Sequence, residues 1–278
     1  MAMIEKGVNN LWRTLIELLG LVFVTNFARS LGSYLCEYFQ YGDIVKFFQL
    51  FLNNIFPVLI VLMYVRYGEK RTISSLGFTP KNWIKSYLQG ALIGVLLIAG
   101  VAVLSILFGE IEFVGLSKSY SLVALVATSL LSIVNVREEL IFRGWFLTTP
   151  YSVDNPAKAI VWSSIVFGLI HCGNPNVTAL SIVNLILFSV LLSEIFLICK
   201  NIWVVAAIHT VWNFLQGKIL GLPVSGSKSN TRLLDFNIAP NSLTDGFGLE
   251  GNVFTLIILV VAIAIATRKI VYLRKVNI

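Results

Sequence analysis

The chain has 278 residues, of which 57% are hydrophobic and only 13% charged, with a mean hydropathy of +0.84 and a formal charge of +7. A soluble domain carries roughly 25% charged residues, so a single soluble core cannot absorb this much apolar surface. The basic residues sit in short segments between apolar runs and at the C-terminus rather than on one soluble face, which argues against a nucleic-acid partner.

Apolar runs of about 17 to 22 residues suffice, at 1.5 Å per residue, to cross a hydrocarbon layer of roughly 30 Å. The pattern predicts an all-α integral membrane protein with about eight transmembrane helices, near 11–31, 46–65, 88–108, 121–147, 157–171, 178–198, 201–220 and 252–272. The first follows Lys6 and Arg13 and continues to about Leu31 without an A-x-A-like cleavage site, so it reads as a retained span. Arg66, Lys70, Arg71, Lys81 and Lys85 follow the second span, and Arg268, Lys269, Arg274 and Lys275 follow the last. By the positive-inside rule both segments are cytoplasmic, and an even number of spans puts both termini there.

Residues 70–87 mix Leu76, Phe78, Trp83, Ile84 and Tyr87 with lysines and read as an interfacial stretch against the inner leaflet. The polar connection from Gly221 to Asn252 falls on the outer side, where a lid and a plain linker both fit. No repeat of convincing period divides the chain, so residues 1–278 read as one polytopic domain. Cys36, Cys172 and Cys199 are odd in number and lie in or beside apolar segments without a C-x-x-C pair, which indicates neither a disulfide framework nor a structural zinc site.

Ionisable groups inside spans are expensive, so each is a site candidate unless it pairs or snorkels. The fourth span ends in Val136-Arg137-Glu138-Glu139-Leu140-Ile141-Phe142-Arg143. Glu139 and Arg143 are four apart with the acid first, the favourable order for a pair on one helix face. Glu138 points about 100° away and is expected to lack that partner, which suits a carboxylate used as a general base.

The chain has two histidines, His171 and His209, and both fall in apolar segments. His209 and Asn213 are four apart, so imidazole and carboxamide project from one face and together suit an oxyanion. Counting roughly 1.5 Å per residue from the cytoplasmic helix ends puts Glu138 about 14 Å, His209 about 12 Å and His171 about 21 Å deep, a shared level in the bilayer. Glu17, Arg29 and Glu194 read as structural or snorkelling groups, with Glu194 near Lys200.

E-E-x-x-x-R at Glu138, Glu139 and Arg143, F-x-x-x-H at Phe167 and His171, and H-x-x-x-N at His209 and Asn213 follow in order. Together they resemble the CPBP (Abi, CAAX protease self-immunity) family of intramembrane endopeptidases, in its bacterial branch. The resemblance covers 121–220, a catalytic core of four helices. It implies that Glu138 and His171 activate water, that His209 and Asn213 stabilise the oxyanion, and that Glu139 and Arg143 brace their helix.

The resemblance leaves the metal open. Zinc held by Glu138, His171 and His209 with water as fourth ligand fits the residues, and so does a metal-free glutamate mechanism. No H-E-x-x-H helix forces zinc. The expected partners are a hydrophobic or membrane-bound peptide substrate and membrane lipid, the expected location a bacterial plasma membrane, and the expected role bacteriocin self-immunity or signal-peptide processing. The competing expectation is a non-catalytic immunity or transport protein whose buried polar cluster binds its ligand.

Overall fold

The computed structural model describes residues 2–39, 55–118, 120, 136–229, 231–239, 242, 244 and 246–276. The parts of the second and fourth expected spans at 46–54 and 121–135 lie outside the described residues.

In chain order the described elements are α1 (Ala2–Phe39), α2 (Phe56–Met63), α3 (Trp83–Leu107), β1 (Ile111–Leu116), α4 (Val136–Glu139), α5 (Pro150–Asp154), α6 (Pro156–Leu169), α7 (Ala179–Cys199), α8 (Ile202–Phe214), β2 (Leu234–Ile238) and α9 (Val253–Val276). Three helices continue into π-turns, at Tyr64–Gly68, Leu140–Trp145 and Leu215–Ile219. Among the described residues Asn10–Ala28, Trp83–Leu107, Ala179–Cys199 and Val253–Val276 are long and apolar enough to cross a membrane, while Phe56–Gly68 and Pro156–Leu169 are shorter apolar helices. The chain is thus an all-α membrane protein in its main architecture, and large apolar side chains such as Leu92 and Leu96 in α3 and Val261 and Ile265 in α9 stay exposed, as a lipid-facing surface requires.

Local chemistry sets the helix starts. Thr178 and Ser181 form a reciprocal capping box at α7, with each side chain accepting from the other's backbone N–H at 3.2 and 2.9 Å. Lys200 ends α7 in the left-handed conformation, and Asn201 caps α8 by accepting from Trp203 N at 2.9 Å. Thr149 and Pro150 start α5 in the same manner.

The chain forms two compact units, Met1–Thr79 with Val134–Ala159, and Pro80–Ile133 with Ile160–Ile278. In the first, Leu140, Phe142, Arg143, Trp145 and Phe146 are fully buried. Trp145 donates its indole N–H to Glu69 at 3.0 Å and stands edge-on to Tyr64, so the segment following the second expected span is clamped by side chains that an anchoring role alone would not need. Glu17, expected as structural, pairs with Arg13 at 3.0 Å.

In the second unit α3 and α8 touch backbone to backbone. A side-chain carbon at Gly90 would stand 2.1 Å from the Val204 carbonyl oxygen, and one at Gly94 would stand 2.9 Å from that of Ile208. Gly90-Ala91-Leu92-Ile93-Gly94 is therefore a G-x-x-x-G seam, the device by which helices approach closely in lipid. Trp83 packs on Trp203 at 5.6 Å, and Asn201 donates to Ser86 at 2.9 Å at the same end of the pair. Glu194 accepts from Thr267 of α9 at 2.7 Å, a helix-to-helix bond in place of the expected approach to Lys200, because the side chain faces the neighbouring helix and is buried.

The connection from Gly221 to Asn252 is a folded strap. Its β2 pairs antiparallel with β1 from Leu234↔Leu116 to Ile238↔Ile111, with a bulge between Phe113 and Gly115. Asn184 of α7 donates to the backbone oxygens of Glu250 and Asn252 at 2.7 and 2.9 Å, and Asn252 donates to Ser105 of α3 at 3.2 Å and to Thr244. Gly248 has φ +109°, and a side-chain carbon there would lie 2.0 Å from the Pro223 oxygen, so this turn closes only with glycine.

Gly90→Leu is expected to destabilise the detergent-solubilised protein by at least the ~1–3 kcal/mol typical of overpacking, read as a lowered melting temperature. Gly20→Leu, at a position with nothing within 4 Å, should melt as the unaltered protein does. Equal melting of the two variants would contradict the seam.

Candidate functional site

The six candidate site residues divide between the units. Glu138, Glu139 and Arg143 stand in the first, and His171, His209 and Asn213 in the second.

In the first unit Arg143 donates to Glu139 at 3.0 Å with both side chains fully buried, the i,i+4 pair expected from their spacing. Removing one member of such a pair typically costs about 3–5 kcal/mol, because the other charge stays buried. Glu138 departs from expectation. It accepts from Arg137 at 2.8 Å, since the long arginine chain next to it folds back along the helix and reaches its carboxylate. The π-turn Leu140–Trp145 begins immediately after these acids, and Leu215–Ile219 begins just past Asn213; such turns are rare and concentrate at functional sites.

In the second unit α6 delivers Phe167 and ends at Leu169, so His171 lies in the turn beyond the helix rather than within it. The turn folds the imidazole back until Nδ1 is 2.7 Å from the Phe167 carbonyl oxygen. A carbonyl only accepts, so Nδ1 carries the proton and Nε2 keeps its lone pair. That is the tautomer of a proton acceptor.

Phe167 also brings the two histidines together. Its ring lies 5.0 Å from the imidazole of His171 and 6.2 Å, edge-on, from that of His209. On its other side His209 meets Phe188 of α7 edge-on at 5.6 Å, and Phe188 packs on Trp212 at 5.3 Å. These aromatic walls surround a cavity of about 20 Å³ that His171, His209 and Asn213 all line. A polar space of that size accommodates about one water molecule.

Four further polar residues line this cavity: Asn184, Thr255 of α9, and Ser225 and Glu250 from the strap. Glu250 is 6% exposed as a residue, accepts from Gln216 Nε2, and is approached by Ser225 N at 3.3 Å. Burial pushes its carboxyl up to about 7, against the opposing pull of the Gln216 and backbone hydrogen bonds and of His209. Sequence reasoning passed over Glu250 because it sits at a span's edge, where a carboxylate normally snorkels into water. The available signal was its place among glycines just ahead of α9.

Among the described residues no three His, Cys, Asp or Glu side chains stand together in position to hold a metal ion. Of the zinc ligands offered by the motif resemblance, Glu138 stands in the first unit and His171 and His209 in the second, and no step below runs through a metal.

Residues 118–215 match the family model described as type II CAAX prenyl endopeptidase Rce1-like. No curated protein and no solved structure matches the chain. The matched segment contains all six candidate site residues, while Ser225 and Glu250 lie beyond it. Residues 118–215 of this membrane-embedded helical protein are thus similar to the Rce1-like members of the CPBP family of proteases.

Proposed function

We propose that this protein hydrolyses a peptide bond in a hydrophobic or membrane-bound peptide, in a bacterial cell membrane and with both termini cytoplasmic. The observation that carries the reading is the convergence of His171, His209 and Asn213 on one cavity around Phe167.

In this mechanism Glu138 and His171 activate the water, whose oxygen attacks the carbonyl carbon. His171 is suited to receive a proton because its Nδ1 is already committed to Phe167 and its Nε2 is left basic. His209 and Asn213, one helical turn apart on α8, supply donors to the oxyanion as it forms. Glu139 and Arg143 hold the helix that presents Glu138. The walls of Phe167, Phe188 and Trp212 keep bulk water out, which strengthens each of these interactions. Self-immunity against a bacteriocin, or maturation of a peptide signal, is the role such an activity would serve.

The test is cleavage of a quenched fluorescent peptide library by the purified full chain in detergent, beside melting-matched variants. Glu138→Gln and His171→Ala should each lose about 10²–10⁴-fold in kcat, the usual worth of a general base. Asn213→Ala should lose about 10²–10³-fold in kcat at an unchanged KM, as expected when one oxyanion donor is removed. Variants that fold and cleave like the unaltered protein would overturn the assignment.

A further inference from the structure

The strap contributes a carboxyl to a cavity whose other polar walls come from α7, α8 and α9 and from the turn after α6. Its placement is heavily built. Asn184 donates to the Glu250 backbone oxygen at 2.7 Å and to that of Asn252 at 2.9 Å, and Thr255 donates to that of Leu249 at 2.6 Å. Asn252 in turn is tied to Ser105 of α3. An apolar residue at 250 would keep these backbone bonds and avoid burying a carboxyl, which is by itself a burden on stability.

The partners of the carboxyl are neutral. Oε2 accepts from Gln216, and Oε1 is approached by Ser225 N at 3.3 Å and Ser225 Oγ at 3.5 Å. No lysine or arginine lines the cavity, and the titratable groups that share it are His171 and His209. A carboxyl in such surroundings keeps its proton, as carboxylic acids in apolar catalytic sites do. Oε1, beside the lining residue Ser225, is the oxygen free to carry it.

We infer that Glu250 is a further catalytic residue, the general acid that protonates the departing amine of the cleaved peptide bond. The inference rests on the hydrolytic reading above. When the tetrahedral intermediate collapses, the carbon–nitrogen bond breaks and its electron pair stays on nitrogen, which takes the proton from the Glu250 carboxyl. Water has by then given its hydroxyl to the carbonyl carbon and its one proton to His171. That proton passes on through His171 or solvent to restore the Glu250 carboxyl, so one water is consumed per bond. Two acid–base groups then divide the work, one taking the proton of water and one giving a proton to the amine, and the second lies outside the matched domain.

The experiment compares the full-length protein with Glu250→Gln on two probes sharing one acyl part: the amide peptide found by library screening and its aryl ester, whose phenolate leaves without a proton. Glu250→Gln should lose about 10²–10⁴-fold on the amide, the range for a general acid, and far less on the ester. The amide rate of the unaltered protein should fall as pH rises through about 7, and Glu250→Gln should lack that limb. Equal losses on amide and ester, or an amide rate and pH profile unchanged by the substitution, would overturn the inference while leaving the hydrolytic reading intact. If the unaltered protein cleaves neither probe, that reading fails and this inference fails with it. Should Glu250→Gln not fold, Glu250→Asp keeps an acid but retracts it, and the same preference for ester over amide is expected; its absence overturns the assignment.

Discussion

The second unit depends on the contact between α3 and α8. Lipid offers no hydrophobic drive to bring two apolar helices together, so their association rests on close packing and interhelical hydrogen bonds. Gly90 and Gly94 allow the backbone of α3 to reach that of α8, and the Ser86–Asn201 bond and the Trp83–Trp203 contact fix one end of the pair. With α8 held in place, His209 and Asn213 acquire a defined position relative to α6 and α7. Phe167 and Phe188 then enclose His209, and the same Phe167 ring reaches His171.

The strap completes what the helices begin. Its polar bonds run to α3 through Asn252, to Glu110 just after α3 through Thr244, and to α7 at Asn184, so two helices are tied by one connection. Each buried hydrogen bond adds only about 1 kcal/mol, yet leaving one of these amides unpaired would cost about 1–3 kcal/mol. The network therefore acts mainly by forbidding alternatives, and the position it enforces is that of Glu250. A cavity of about 20 Å³ accommodates about one water molecule.

Much of this was legible in the sequence because the signals are local. Glu139 and Arg143 announce their pairing by spacing alone, and His209 and Asn213 share a face for the same reason. The long apolar helices α3, α7 and α9 lie within a few residues of their expected ends, since hydrophobicity and the caps at Thr178 and Asn201 mark them. What escaped depends on partners far along the chain. Asn184 acquires its role from Glu250, 66 residues later, and neither is conspicuous by itself. The strand β2 alternates apolar and polar residues over Leu234–Ile238, but only for five residues and with its partner β1 far earlier in the chain, and the Gly90–Gly94 spacing does not say which helix it meets until the opposing backbone is known. The Arg137–Glu138 bond was missed because neighbouring residues point apart on a helix, and only the length of the arginine chain lets it turn back.

The central claim is that the chain's two histidines face a single phenyl ring within one cavity, and nuclear magnetic resonance of protein labelled with nitrogen-15 in histidine tests it directly. The account predicts two sets of ring signals, with His171 in the Nδ1–H tautomer, and predicts that Phe167→Leu shifts both sets while the protein stays folded. Movement of one set alone, or of neither, would contradict it.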